Sequence, residues 1–212
     1  KLAARGYGLT LVARRRDRLE ALRDELERTQ KVSVNIVTCN LAGAAETEAL
    51  ARQIEAAGPP DLLVNNAGFG VAGRFHEVDY QSQLDMIQVH VLATMRLTRA
   101  VLGPMIARDH GAIINTASVA GFWRSTGAAL YCSTKGWIND FTEAIALELR
   151  TSGSHVKVQA LCPGYTYTEF HDVMQVDRAA VPKFLWLKAD YVVEASLRGL
   201  DRGQTGIDEY LF

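Results

Sequence analysis

The sequence has 212 residues, of which 48% are hydrophobic and 22% are charged, and its formal net charge at pH 7 is -1. This length and composition are typical of one globular domain with a full-sized core. The near-neutral charge gives no electrostatic reason to expect nucleic acid or an anionic membrane surface as a partner.

Short apolar runs that favour strands alternate along the chain with patterns that favour helices. Strands are predicted at 8–13, 32–38, 61–66, 112–118 and 155–163, and helices at 17–30, 46–58, 80–108, 128–150 and 189–202. Asp17 is the expected N-cap of the first of these helices, and Gly58 is expected to end the second. The alternation predicts an α/β fold, a doubly wound, Rossmann-like parallel sheet, in a single domain over residues 1–212.

The segment 1–6, KLAARG, has the pattern of the last turns of a helix that ends at Gly6. A doubly wound sheet of this kind has a central first strand and a Gly-rich turn before that helix, and neither is present in the sequence. We expect roughly 15–25 further residues on the N-terminal side, the length of a strand, a turn and the missing helical turns. The strands at 8–13 and 61–66 are then expected to flank the position of the central strand.

Polar and glycine residues follow four of the predicted strands, where the ligand crevice of an open α/β sheet lies. These strand ends carry Arg14 and Arg15, the segment 65–68, Ser118, and the pair 163–164. The sequence therefore predicts one continuous crevice along the carboxyl edge of the sheet.

Tyr131 and Lys135 are four residues apart on a predicted helix and are expected to share one face. An ammonium at about 4 Å favours a phenolate by roughly 4 kcal/mol at an effective dielectric of 20. That interaction is expected to lower the tyrosine pKa by about 3, to near 7, where a phenol is a useful acid and base. On its own the pair could equally be a packing tyrosine beside a lysine, and Ser118 alone could be a turn or N-cap serine.

Four motifs in order give these residues a context: NNAG at 65–68, ASVAG at 117–121, YCSTK at 131–135 and PGYTYT at 163–168. With them the chain resembles the short-chain dehydrogenase/reductase family over essentially its whole length. The interval of thirteen residues between Ser118 and Tyr131 also fits the family. The similarity is nearest to its NADP-using branch, which includes steroid and acyl ketone reductases.

The resemblance implies hydride transfer between a nicotinamide and a carbonyl or alcohol. It implies that Tyr131 is the general acid, that Ser118 polarises the substrate oxygen, and that Lys135 assists the tyrosine and binds the nicotinamide ribose. The cofactor contacts that it implies, besides Tyr131 and Lys135, are Asn40, Leu41, Asn65, Ala67, Gly68, Pro163, Gly164, Thr166 and Thr168.

The basic run after the strand at 8–13 bears on the choice of cofactor. An acidic residue at this strand end would bind the ribose 2′-hydroxyl of NAD, whereas an arginine accommodates the 2′-phosphate of NADP. Arg14 and Arg15 occupy this place and no acid precedes them. The alternative, a solvated basic helix start, is less favourable because the positive end of a helix disfavours cations. The sequence therefore favours NADP(H).

His90 lies in QVHVLAT (88–94), where the family usually has an asparagine that supports a proton path to the lysine. The histidine either takes over that relay or is a core histidine without a role. If it only substitutes for asparagine, a His90→Asn variant should be at least as active.

The substrate side of the predicted crevice is rich in apolar residues, which favours a lipophilic ketone or secondary alcohol. These residues, which could also be ordinary core packing, are Phe69, Phe122, Trp123, Tyr165, Phe170, Met174, Phe184, Leu185 and Trp186. Outward apolar positions on the two long helices, such as Trp137, are expected to form a homodimer or homotetramer face. The rival hypothesis is an inactive or weakly active protein that binds NADPH as a sensor or scaffold.

The three cysteines, Cys39, Cys132 and Cys162, match no disulfide framework and no metal-ligand spacing. They are predicted to be buried free thiols, and no metal site is expected. No apolar run reaches membrane-spanning length and no signal-like segment is present, so the sequence predicts a cytoplasmic protein.

Overall fold

The structure is a computed structural model in which residues 1–170 and 181–204 are described. Met174 and the segment 206–212, whose place in the fold the sequence leaves open, lie outside the described residues. The helices are α1 (Arg16–Gln30), α2 (Ala44–Ala57), α3 (Tyr80–Ile87), α4 (Thr94–Ala107), α5 (Ala129–Thr151) and α6 (Ala189–Asp201). The strands are β1 (Leu9–Ala13), β2 (Val34–Thr38), β3 (Leu62–Asn65), β4 (Ala112–Thr116), β5 (Lys157–Leu161), β6 (Thr166–Tyr167) and β7 (Leu187–Lys188).

All paired strands are parallel, as the alternation of strands and helices predicts. β1 pairs with β2, while β3, β4 and β5 form a three-stranded sheet in that order. Within the described residues no hydrogen bonds join β1 to β3, so the two sheets are separate, as expected for the strands at 8–13 and 61–66. β6 and β7 form a third, two-residue ladder.

The main core lies between the three-stranded sheet and the helices α4 and α5. Ile113 on β4 and Val158 on β5 are fully buried against Met105 of α4 and Leu149 of α5. Burying aliphatic side chains of this size contributes about 1.5–3 kcal/mol each, so this contact fixes the two helices on the sheet. The last turns of both helices are thereby anchored beside the starts of β4 and β5.

The predicted helix at 80–108 is one continuous helical stretch whose middle departs from α-helical geometry. Residues Gln88–Ala93 form a π-helical segment between α3 and α4. Such wide turns are rare and occur frequently at functional sites. His90 lies in this segment, and nothing in the sequence around it indicates the change of helical geometry.

Predicted helix ends are confirmed in two places and wrong in one. Gly6 has φ of 85° and its N–H donates to Ala3 O at the end of a short 3-10 helix, Ala3–Arg5. Gly58, with φ of 86°, follows the last residue of α2. Asp17, however, lies inside the first turn of α1, because the helix begins one residue earlier and has Arg15 at its N-cap.

None of the helices in the described part of the chain is long and apolar enough to cross a membrane. The three cysteines are free and buried there, as predicted.

Candidate active site

Tyr131 and Lys135 lie on the first two turns of α5 and share one face, as their spacing predicts. The Lys135 Nζ is 5.9 Å from the centroid of the Tyr131 ring. Lys135 is only 4% exposed, and its ammonium donates a 2.8 Å hydrogen bond to Thr116 O at the end of β4. The lysine thereby connects α5 to the strand that leads to Ser118.

Ser118 lies just beyond β4 and caps the 3-10 helix Val119–Phe122, where its Oγ accepts from the Ala120 N–H at 3.1 Å. The same hydroxyl is 3.5 Å from Pro163 O, to which it can donate. Its interaction with Tyr131 also lowers the pKa of that tyrosine, against the effect of burial. The N-cap interpretation of Ser118 is therefore confirmed, and its role in a catalytic site beside Tyr131 stays a prediction.

Gly121 explains how the serine turn comes this close to α5. A Cβ at this position would lie 2.9 Å from the Gly136 N and 2.7 Å from the Asn139 Nδ2. Distances this short to backbone leave no room for a side chain. The glycine of ASVAG is therefore needed so that the turn carrying Ser118 can pack directly on the turn that follows Tyr131.

The pKa of Tyr131 moves in the direction opposite to the one expected from the sequence. Burial raises it to about 12, and the hydrogen bond with Ser118 only partly opposes this effect. The expected lowering by Lys135 is wrong for this structure, because its Nζ lies over the ring face and donates to Thr116 O instead of approaching the phenol oxygen. Burial also lowers the pKa of Lys135 to about 8.

His90 is fully buried beside this pair. Its Nε2 is 3.2 Å from the Phe69 backbone N–H, and its Nδ1 is 2.9 Å from Thr134 Oγ1. Its ring is 6.0 Å from the Tyr131 ring and 6.1 Å from the Phe69 ring, measured between centroids. Burial, together with the charge of Lys135, lowers the pKa of His90 to about 2, so the imidazole is neutral.

The NNAG segment divides between inward and outward roles. The Asn65 amide points inward and donates to Asn115 Oδ1 at 2.8 Å and to Thr98 Oγ1 at 3.2 Å. Ala67 and Gly68 are exposed at the strand end. Asn65 therefore ties β3 to β4 and α4, whereas the backbone that follows it is exposed.

Asn40 and Leu41 follow β2 and make internal contacts. Asn40 Oδ1 accepts from the Ala42 N–H at 3.2 Å, which closes a turn. Leu41 packs against the apolar cluster between α2 and α4. The side-chain contacts of both residues stabilise the loop, and neither residue is brought to the Tyr131 site.

The basic run after β1 is exposed, and it has a partner that the sequence did not reveal. Arg18 Nη1 is 2.9 Å from Glu169 Oε1, and Arg15 Nη2 is 3.6 Å from Glu169 Oε2. Arg14 is exposed and has no ion pair within residues 1–170 and 181–204. Glu169 is separated from these arginines by about 150 positions of sequence, so no local pattern could indicate the pair.

The PGYTYT segment is held by its own hydrogen bonds and by an aromatic stack. Thr166 Oγ1 donates to Gly164 O at 3.1 Å, and Thr168 Oγ1 donates to Thr166 O at 3.4 Å. Trp186 is buried between Tyr165 and Tyr167, at centroid distances of 5.4 Å and 5.0 Å. The ladder between β6 and β7 and this stack join the two ends of the stretch 168–186.

One of the apolar residues that the sequence assigned to the crevice contacts Tyr131, and several others are exposed. The Phe170 ring is 5.8 Å from the Tyr131 ring, and Phe122, Trp123 and Phe184 are exposed. A small pocket adjoins the start of α5, and its lining includes Val71, Phe75, Val78, Met86 and Leu130. Of the apolar residues that the sequence assigned to the crevice, Trp186 is buried in the aromatic stack, and the place of the exposed ones at the crevice stays a prediction.

Comparison with known proteins supports the same interpretation. The family model described as short chain dehydrogenase matches residues 1–178. A protein named Putative ketoacyl reductase from Streptomyces coelicolor is 35% identical over 171 residues, which cover 79% of this chain and 64% of that protein. The chain thus spans just under two thirds of the length of this curated relative.

Two solved structures are similar over nearly the whole chain. A short-chain dehydrogenase from Sphingobium yanoikuyae in complex with NADPH superposes with a TM-score of 0.90 at 31% identity, covering 97% of this chain and 79% of that one. The bulky-bulky ketone specific alcohol dehydrogenase from Comamonas testosteroni gives a TM-score of 0.85 at 27% identity, with coverages of 97% and 77%. The predicted doubly wound α/β fold is thereby confirmed.

Proposed function

The chain belongs to the short-chain dehydrogenase/reductase family of oxidoreductases, and from this premise we propose that it reduces a lipophilic ketone with NADPH. The observation that carries the proposal is the convergence of Ser118, Tyr131 and Lys135, from the end of β4 and the start of α5, at the edge of one crevice. The NADPH-bound relative and the ketone-specific relative support the choice of cofactor and of substrate class.

The residues present fit such a cofactor at both of its ends. Gly68 is exposed beside Lys135, and a Cβ there would lie 3.5 Å from the Nζ and 2.9 Å from the His90 Nε2. Because Gly68 has no Cβ, its backbone can lie this close to the ammonium, and the ribose hydroxyls would bind beside both groups. Arg14, Arg15 and Arg18 form an exposed cationic group after β1 that suits a 2′-phosphate. When bound, NADPH would supply the hydride.

The three converging residues can handle the substrate oxygen. Ser118 Oγ, at the crevice edge, can donate a hydrogen bond that polarises a carbonyl. Tyr131 can give its phenolic proton to the oxygen as negative charge develops there. Lys135, whose pKa is about 8, is mostly cationic at pH 7 and stabilises the negative charge that the tyrosine acquires.

The pKa of Tyr131 favours reduction over oxidation. A pKa of about 12 keeps the phenol protonated throughout the neutral range, so the general acid always has a proton to donate. Oxidation of an alcohol needs the same group deprotonated, which becomes more frequent as the pH rises. We therefore expect the rate of ketone reduction to vary little between pH 6 and 8, and the rate of alcohol oxidation to increase with pH over the same range.

The apolar surroundings of Tyr131 support a lipophilic substrate. Phe170 lies against its ring and Trp123 is 53% exposed nearby in sequence, on the turn after Ser118. Apolar walls exclude water from the reacting atoms and favour binding of hydrophobic groups.

Exposed apolar positions on the long helices support the proposed homodimer or homotetramer. Leu147 on α5 is 55% exposed and Met95 on α4 is 44% exposed. The buried free thiols support the proposed location in a reducing compartment, the cytoplasm.

The test is a panel of aromatic, steroid-like and acyl ketones with NADPH and with NADH. Tyr131→Phe removes the hydroxyl and is expected to abolish turnover while retaining NADPH binding, and Tyr191→Phe, an exposed tyrosine on α6, is the matched control. Replacing Arg14 and Arg15 should raise KM for NADPH far more than KM for NADH, and equal effects would refute the assignment of NADP(H). Tight NADPH binding without turnover of any ketone would instead favour the sensor or scaffold hypothesis.

A further inference from the structure

The hydrogen bonds of His90 define its tautomer. The Phe69 backbone N–H can only donate, so the Nε2 that it contacts at 3.2 Å must accept. A neutral imidazole then carries its proton on Nδ1, which donates to Thr134 Oγ1 at 2.9 Å. The threonine hydroxyl donates in turn to the backbone carbonyl oxygen of Tyr131 at 3.0 Å. The donor and the acceptor of each of these three hydrogen bonds are therefore defined.

This arrangement does not suit proton transfer. Both ring nitrogens of His90 are occupied by protein groups, one of them a backbone amide that cannot release its proton. The ring is fully buried between Phe69 and Tyr131, and the charge of Lys135 further disfavours a second proton on it. A relay through His90 would require both a free nitrogen and an accessible imidazolium.

The contacts instead join the two sides of the crevice. Phe69 follows Gly68 on the loop after β3, whereas Thr134 lies on α5 between Tyr131 and Lys135. The π-helical segment Gln88–Ala93 places the imidazole between them. A Cβ on Gly68 would lie 2.9 Å from the His90 Nε2, so the loop backbone rests directly on this ring.

We propose that His90 is a positioning residue that sets the distance between the Gly68–Phe69 backbone and the turn of α5 carrying Tyr131 and Lys135. The loop would border the cofactor and the helix turn would hold the proton donor, so this inference rests on the proposed function. His90 acts only by holding these two hydrogen bonds and gives up no proton during turnover.

Two substitutions separate the two contacts. An asparagine amide reaches the place of the histidine Nδ1, so His90→Asn keeps the contact with Thr134 and loses the one with Phe69. A glutamine amide reaches the place of Nε2, so His90→Gln keeps the acceptor for the Phe69 N–H and loses the contact with Thr134. Thr134→Val removes the same contact from the other partner at nearly constant shape.

The first measurement is amide hydrogen exchange at Phe69 in the full chain without cofactor. The Phe69 amide is expected to be protected in the wild type, in His90→Gln and in Thr134→Val, and to exchange at least tenfold faster in His90→Asn. This measurement tests the contact itself and does not depend on any activity of the protein. Equal protection in all four proteins would overturn the proposal.

The second measurement separates binding from turnover. Without its acceptor the Gly68–Phe69 backbone is no longer held where it would border the cofactor, so we expect His90→Asn to bind NADPH about tenfold more weakly, with kcat at saturating NADPH changed less than twofold. His90→Gln and Thr134→Val should retain the wild-type Kd, lower kcat by a similar factor, and lower it no further when combined. A relay would give a different result, namely lower kcat in both histidine variants at unchanged Kd.

The two proposals fail in distinguishable ways. If the wild type binds no NADPH, the proposed function fails, while the exchange pattern at Phe69 still tests the contact made by His90. If the wild type reduces ketones but His90→Asn matches it in Phe69 exchange and in NADPH affinity, only the positioning role is wrong.

Discussion

Replacing Lys135 with methionine should stabilise the protein near neutral pH. The Lys135 ammonium is almost completely buried, and burial lowers its pKa from 10.5 to about 8. Keeping a charged amine in this position therefore costs free energy that an apolar side chain of similar length does not cost.

The magnitude follows from the two pKa values. At about 1.4 kcal/mol per pKa unit, the difference between 10.5 and about 8 corresponds to about 3 kcal/mol of destabilisation when the lysine is charged in both states. Losing the hydrogen bond from Nζ to Thr116 O removes about 1 kcal/mol of stabilisation from the variant. The net expectation is that Lys135→Met is about 2 kcal/mol more stable at pH 7.

The pH dependence has a definite sign. Between pH 8 and 10.5 the unfolded chain keeps the lysine proton while the folded chain has lost it, so the wild type gains stability as the pH rises. The variant has no amine here and does not gain. The advantage of the variant should therefore be constant below about pH 7 and shrink by about 1 kcal/mol per pH unit above pH 8.

Urea unfolding followed by circular dichroism from pH 6 to 9 measures this difference. Tyr131 and Cys162, whose pKa values burial raises to about 12, are present in both proteins and stay protonated in this range. Lys183→Met, at an exposed lysine, is the control and should change neither the stability nor its pH dependence. A Lys135→Met protein that is less stable than the wild type at pH 7, or whose advantage does not change with pH, would refute the reasoning.

Three further predictions concern packing, cofactor affinity and assembly. Gly121→Ala should lower the free energy of unfolding by about 1–3 kcal/mol, measured by thermal unfolding, because its Cβ would contact Asn139 and the helix backbone. The control is Gly103→Ala, which faces open space on α4 and should raise the free energy of unfolding by up to about 1 kcal/mol. A matching loss of stability in both variants would contradict the packing argument. Glu169→Gln removes the carboxylate that pairs with Arg15 and Arg18 and that would compete with the 2′-phosphate of NADPH for them. The Kd of NADPH at low salt should therefore fall about twofold, as expected for an exposed ion pair, and the Kd of NADH should not change. Weaker NADPH binding would show that the carboxylate orients the arginines instead. Leu147→Glu places a charge on the exposed apolar face of α5 and should yield monomers in light scattering if that face joins subunits; an unchanged mass would place the interface elsewhere.

The sequence predicts the element order and the shared helix face of Tyr131 and Lys135 because both depend on local patterns. The periodicity of the apolar residues and the residue types after each predicted strand were enough to place Ser118 after β4. They were also enough to put Tyr131 and Lys135 on one face of α5. The boundaries shifted by a few residues where a cap decides them, as at Asp17, because a capping side chain is only one of several ways to begin a helix.

The features that the sequence did not reveal all depend on contacts between distant segments. Three of them join elements that are far apart in sequence. They are the ion pairs of Glu169 with Arg15 and Arg18, the inward hydrogen bonds of the Asn65 amide, and the two hydrogen bonds of His90. The π-helical segment also lacks a local signal, since QVHVLAT fits an ordinary helix equally well. Spacing on a helix identifies the neighbours on one face but not the depth at which that face is buried.

The pKa of Tyr131 shows why this depth matters for function. Spacing alone predicts an ammonium beside a phenol, hence a phenol that ionises near neutrality. Burial disfavours the phenolate and the ammonium alike, so it raises one pKa to about 12 and lowers the other to about 8. The two shifts move the pKa values apart and reverse their order, from 10.0 and 10.5 to about 12 for Tyr131 and about 8 for Lys135, so the phenol keeps its proton at neutral pH. A tyrosine in this state can donate to a developing alkoxide, whose own affinity for a proton is higher still, and this is the protonation state that ketone reduction requires.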